Sequence, residues 1–240
     1  MAVIAIAAAS ANAGVIVAED FIGSGGLLNA TVADTFDAVI VAAGGSATWA
    51  ANSGFKNNGN VNATGKSAYL NLGSYINDAK GTATGKFDLT MTISETTGNW
   101  LSLGFAKSNT PGKDNNFTRV DSMGTIIYRS RGELDMWGGL GTKAGTVDGP
   151  SGISGTRTLT VSLDVTSATE PGTVTWSDSV LGQIGTTSLP DASIGSIFIS
   201  AATDSGGTIS DLTLTQVPEP ATMGLLAIGG LALLRRRRNG

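Results

Sequence analysis

Lys86-Phe87-Asp88-Leu89-Thr90-Met91-Thr92-Ile93-Ser94 alternates apolar and polar residues along its whole length. Successive side chains of a β-strand point to opposite faces. Phe87, Leu89, Met91 and Ile93 therefore share one face, and Asp88, Thr90, Thr92 and Ser94 share the other. The stretch reads as a strand with one buried and one polar side. Thr158–Val165 repeats the pattern, with Leu159, Val161, Leu163 and Val165 inward. Shorter candidates are Phe36–Val41, Ala68–Leu72, Trp100–Ala106, Thr125–Arg129, Glu133–Trp137, Thr173–Trp176, Ser196–Ala201 and Thr208–Val217.

Turn clusters separate these segments: Asn57-Asn58-Gly59-Asn60, Thr110-Pro111-Gly112-Lys113, Asp148-Gly149-Pro150 and Glu170-Pro171-Gly172. No stretch of the body sustains a helical period. About ten short strands without a fixed-length repeat predict an all-β sandwich, whereas a propeller or β-helix would repeat regularly. Composition agrees. Of 240 residues only 14% are charged, 41% are hydrophobic and 34 are Gly, which suits packed sheets joined by tight turns and argues against disorder.

The chain has no Cys and no His. Disulfides, thiolate nucleophiles and thiolate metal sites are excluded, and so are the commonest general base and metal ligand. Net charge is -4. Arg235–Arg238 and Glu219 lie in the tail, which leaves Gly14–Val217 with 11 Lys and Arg against 18 Asp and Glu. An acidic body predicts no nucleic-acid partner.

The two ends read as address rather than fold. Residues 1–13 form an apolar run closing on Ala11-Asn12-Ala13 before Gly14, which predicts a secretory signal cleaved after Ala13. No Lys or Arg precedes the run, so the natural start is expected upstream of Met1. The alternative is a first strand or helix of the domain. At the other end, Pro218-Glu219-Pro220 interrupts regular structure. Met223–Leu234 is wholly apolar, and Arg235–Arg238 follows. The 14 uncharged residues from Ala221 to Leu234 would reach ~21 Å as a helix, against a hydrocarbon core of ~30 Å. The arginines should stay cytoplasmic, with the body outside.

Pro218-Glu219-Pro220, the apolar stretch and the terminal arginines, in that order, closely resemble the PEP-CTERM sorting signal of Gram-negative bacteria. The resemblance covers about the last 23 residues. It implies that exosortase, a membrane enzyme, recognises Pro218, Glu219 and Pro220 and processes the tail. It also implies an inner-membrane contact through a C-terminal hydrophobic helix before processing, and an association with exopolysaccharide and biofilm. A plain tail anchor is the alternative. The Gram-positive sortase pattern is absent, since Leu189-Pro190-Asp191-Ala192-Ser193 departs from it after Leu-Pro.

The body resembles a bacterial concanavalin A-like (laminin G-like) jelly roll. The resemblance rests on Glu19-Asp20-Phe21 at the opening, Thr48-Trp49, Ala68-Tyr69-Leu70, the strand Phe87–Ile93, Trp100–Phe105 and the closing Ile209–Leu214. It implies an antiparallel jelly-roll β-sandwich over 14–216, between a signal at 1–13 and a sorting segment at 217–240. Glycan-binding modules, glycanases and domains of other roles share that fold.

Glu133-Leu134-Asp135-Met136-Trp137 resembles the first half of the Glu-x-Asp-x-x-Glu or Glu-x-Asp-x-Glu motif of jelly-roll β-glucanases. The closing Glu is missing, because Trp137 or Gly138 stands where the general acid belongs. Retaining hydrolysis needs two carboxyl groups ~5 Å apart in separate roles, so no catalytic residue is assigned. The alternative is a solvated strand face paired with Arg129 or Arg131. Of the four Trp residues, Trp100 and Trp176 read as core. Trp137, before Gly138-Gly139, is the candidate platform for a sugar ring, with Glu133 and Asp135 as polar neighbours. Asp114-Asn115-Asn116 reads as turn chemistry rather than a calcium loop. No cofactor or metal is expected. The reading is an exported, exosortase-sorted, non-catalytic surface or matrix protein, with a lectin-like module and then a glycoside hydrolase as alternatives.

Overall fold

Residues 14–62, 66–97, 99–109, 121–139, 141–148, 156–169, 171–189, 193–202 and 206–217 are described by a computed structural model. Ala11 and Ala13 of the signal, the Asp114–Asn116 loop, Pro218, Glu219, Pro220, the expected C-terminal helix and Arg235, Arg236, Arg237 and Arg238 lie outside them. Among the described residues no helix is long and apolar enough to cross a membrane.

Two antiparallel sheets face each other. Strands are numbered in chain order. The back sheet holds β1 (Gly14–Glu19), β2 (Thr35–Phe36), β4 (Asn60–Val61), β6 (Lys86–Thr97), β11 (Arg157–Asp164), β12 (Thr173–Asp178), β13 (Gly182–Ser188) and β15 (Gly206–Gln216). Their order is β13-β12-β11-β6-β15-β1-β2, with β4 against β15. The front sheet holds β3 (Ala50–Ala51), β5 (Ser67–Asn71), β7 (Trp100–Ala106), β8 (Ser122–Arg129), β9 (Leu134–Gly139), β10 (Lys143–Val147) and β14 (Ser196–Ala201). Their order is β10-β9-β8-β7-β14-β5-β3. The chain changes sheet at every step from β2 to β7, and again at β10–β11, β13–β14 and β14–β15. Repeated crossing between two antiparallel sheets makes this a jelly-roll sandwich.

The predicted strand at Phe87 is the spine of the back sheet. Phe87, Leu89, Met91 and Ile93 are each 0% exposed, and complete burial of such a side chain contributes roughly 1.5–3 kcal/mol. Its polar side forms a hydroxyl ladder with neighbouring strands. Thr90 Oγ1 lies 2.6 Å from Thr213 Oγ1, and Thr92 Oγ1 lies 3.2 Å from Thr158 Oγ1. Across the core, Leu101, Leu103 and Phe105 of β7 and Ile197 and Ile199 of β14 complete the packing. Gly124 of β8 faces Val174 of β12 and Val161 of β11 in the back sheet. Its φ is +126°, and a Cβ there would meet Val174 Cγ2 at 2.7 Å, so both backbone and space require glycine.

At the Arg157 end the core closes on a charged pair. Arg157 and Asp178 are 0% and 3% exposed. Arg157 Nη2 donates to Asp178 Oδ1 at 2.6 Å, and the guanidinium lies 5.2 Å from the centre of the Tyr128 ring. The same Asp178 oxygen accepts from Val180 N and Leu181 N, forming the β12–β13 turn.

One expected strand is mostly helix. In Phe36–Val41, β2 ends at Phe36, and Asp37 caps the short helix α1 (Ala38–Ala42) by accepting from Val39 N. The β-branched run looks extended, but only Ile40 reaches the core, while Val39 and Val41 are exposed. A second short helix, α2 (Tyr75–Asp78), follows β5.

Candidate functional site

The outer face of the front sheet carries the residues singled out for function. Its strands send Leu101, Leu103, Ile126, Tyr128, Leu134 and Met136 into the core, so the alternate residues face outward. Register then lines them up in rows. One row runs Lys143, Trp137, Thr125, Gly104, Phe198, Tyr69, Ala50 across all the strands of the sheet. The next runs Thr146, Asp135, Ile127, Ser102, Ser200, Ser67.

The first row carries Trp137, Phe198 and Tyr69 on one face, with Gly104 between them. A Cβ on Gly104 would meet Thr125 Oγ1 at 2.3 Å, so the Thr125 side chain fills the space a larger residue would need there. The second row is a hydroxyl track: Ser67 Oγ donates to Ser200 Oγ at 3.1 Å, and Ser102 Oγ donates to Ser200 O at 3.3 Å. This is not a solvated strand face. Ser102, Thr125 and Ser200 are 0% exposed, Phe198 is 6% and Trp137 is 7%.

Asp135 is 1% exposed, and both its oxygens are engaged. Oδ2 accepts from Arg129 Nε at 2.8 Å and from Arg129 Nη2. Oδ1 accepts from Thr146 Oγ1 at 2.6 Å and pairs with Lys143 Nζ at 2.7 Å. Burial pushes the Asp135 carboxyl up, but Lys143, Thr146 and Arg129 together hold it below the ordinary value. A carboxylate so held is a fixed anion, the opposite of a general acid. Glu133 precedes β9 and does not share a strand with Asp135 as the sequence pattern suggested. Its backbone oxygen accepts from Arg129 N in a tight turn, and its carboxylate lies 3.8 Å from Arg129 Nε. The structure thus brings Glu133 and Asp135 together on one guanidinium. Trp137 lies on the same outer face, one row from Asp135. Of the other indoles, Trp176 is in the core, and Trp49 donates from Nε1 to Glu19 Oε2 at 2.8 Å.

That last contact belongs to a carboxylate cluster the sequence did not single out. Glu19, Asp20 and Asp34 each bring a carboxylate oxygen within 4.8 Å of the others. Such a set has the donor chemistry of a hard cation site. Burial, followed by repulsion from Asp34 and Asp20, raises the Glu19 pKa against the hydrogen bonds from Trp49 and Phe21 N. Glu19 ends β1 and Asp20 follows it, but Asp34 returns only after a long loop, so no local spacing announces the group.

Residues 216–238 match the PEP-CTERM protein-sorting motif. The chain therefore carries a sorting signal of that kind, and with it export and membrane anchoring before processing. No curated protein matches the chain. Among solved structures, it is similar to Trypanosoma rangeli sialidase, at 14% identity and a TM-score of 0.50, over 87% of this chain and 31% of that one. It is also similar to an endo-1,3-β-glucanase from Streptomyces sioyaensis, at 13% identity and a TM-score of 0.46, over 87% and 98% of the two chains. Winged bean acidic lectin is similar at 12% identity and a TM-score of 0.42, over 64% and 80%. At these identities the likeness concerns the sandwich fold alone.

Proposed function

We propose that this chain is an exported surface protein whose tail is processed by exosortase, and that its jelly roll works without catalysis in the cell envelope or the exopolysaccharide matrix. The observation that carries the reading is the place of the sorting motif. It begins at Gln216, the last residue of β15, so the signal follows the closing strand of the sandwich directly. The committed oxygens of Asp135 support a non-catalytic role, because the carboxylate is already neutralised by Arg129 and Lys143. Fractionation of the native host tests the location. With exosortase present the protein is expected at the surface or in the medium; without it, in the membrane fraction. An identical distribution in both strains would overturn the proposal.

A second reading is a glycan-binding module. Trp137 and Phe198 are buried, and Tyr69, half-buried at the end of their row, is the ring that offers a face to a sugar. In this reading Tyr69→Ala abolishes retention of the folded protein on the host exopolysaccharide. Unchanged retention would remove the row from consideration.

A further inference from the structure

We infer that, before processing, the end of the sandwich from which the tail leaves is docked on the lipid surface through Val15, Val39 and Val41. The inference rests on the reading of residues 218–240 as a membrane-anchored sorting tail.

Topology places the three valines at that end. Gly14 pairs with Gln216 and Val15 with Thr215. Asp37 N donates to Ile16 O at 2.9 Å, which sets α1 beside the start of β1. Tyr75 of α2 donates from its hydroxyl to Gln216 Oε1 at 3.1 Å, and Ser74 N donates to Ala43 O at 2.9 Å. Both short helices therefore pack around the exit of β15. Val15, Val39 and Val41 are 50%, 58% and 54% exposed there.

Exposed valines alone mean little, since scattered surface apolar residues are ordinary. Ile22 and Val180, at the opposite end, are 82% and 55% exposed. The tether is what separates the two ends. Val217 is still held by the sheet, its N–H donating to Lys86 O at 2.8 Å. The uncharged run begins at Ala221. Four residues of chain span at most ~14 Å. An inserted tail thus holds this end within the headgroup region, where apolar side chains gain by leaving water. The charged groups that pairing and hydrogen bonds set near the exit are Asp37, Asp78, Asp88 and Asp164 against Lys80 and Lys86. They give no basic surface for anionic lipid, so the contact is apolar.

The chain has no Cys, so single labels can be placed cleanly. Val15→Cys, Val39→Cys, Val41→Cys and Val180→Cys are made in the chain with its tail intact. Each is labelled with an environment-sensitive dye and reconstituted into phosphatidylcholine vesicles carrying a lipid-borne quencher. Flotation reports tail insertion separately. The expected result is a floating protein whose dye is quenched several-fold more strongly at 15, 39 and 41 than at 180. A floating protein quenched no more at those positions than at 180 would overturn the docking alone. A protein that does not float would overturn the tail reading and the docking with it.

Discussion

Gly14 stands opposite Gln216 in the back sheet, joined through the β1–β15 pair. The residue after the expected signal cleavage and the first residue of the sorting motif are therefore neighbours at one end of the sandwich. Cuts before Gly14 and after Val217 would fall outside both strands, and β15 itself lies inside the sheet between β6 and β1.

This arrangement sets where truncation becomes harmful. A chain ending at Val217 should match the stability of the full body within about 0.5 kcal/mol. A chain ending at Asp211 loses the buried Leu212 and Leu214, each worth about 2–5 kcal/mol when cut back to alanine, and should not fold. Thermal melts of the two chains by circular dichroism decide it. Equal melting temperatures would contradict the placement of β15.

Asp135→Asn leaves Lys143 and Arg129 without their shared anion. A loss of about 1–3 kcal/mol is expected in urea unfolding. The Asp135 pKa is lowered in the fold, so its contribution is present above the unfolded value and lost as pH falls through the folded value. The variant should show a shallower loss of stability on acidification than the parent. A variant with the parent's acid slope would exclude Asp135 as its source.

Asp178→Ala strands the Arg157 guanidinium in the core and removes the acceptor for Val180 N and Leu181 N. Breaking a buried pair costs about 3–5 kcal/mol. Replacing both partners, Arg157→Met with Asp178→Asn, removes the stranded charge and keeps an acceptor for the turn, so it should cost less than Asp178→Ala alone. Chemical denaturation compares the two, and a larger loss in the double variant would contradict the account.

Glu19 has the opposite pH sign. Its pKa is raised in the fold, so the stability it contributes is full below the unfolded value and lost as pH rises through the folded value. Glu19→Gln keeps an acceptor for Trp49 Nε1 and removes a buried charge facing Asp34 and Asp20. Its melting temperature at neutral pH should equal or exceed the parent's. A marked fall would show that the charge itself is needed there.

Much of the sandwich was legible in the sequence because burial is one-sided. Phe87–Ile93 announces itself by strict alternation, and the predicted bounds Trp100–Ala106 and Ser196–Ala201 coincide with β7 and β14. β10 and β13 were not legible. They are edge strands whose residues are exposed or half-buried throughout, so no apolar period marks them. Phe36–Val41 misled because valine and isoleucine favour strands, while Asp37 supplies a helix cap. The pairing of Asp135 with Arg129 was among the sequence expectations. The roles of Lys143 and Thr146 were not, because they depend on the β9–β10 register. Trp137 was singled out alone, yet its row with Phe198 and Tyr69 joins positions far apart in the chain and appears only once three strands are paired.

The central claim is that the tail from Pro218 onward is a processed signal. The most direct measurement is the intact mass of the protein from its native host, with and without exosortase. The account predicts loss of the apolar run and Arg235–Arg238 only where exosortase is present, leaving a body that starts at Gly14. A tail of unchanged mass in both strains would contradict it and leave a plain membrane anchor.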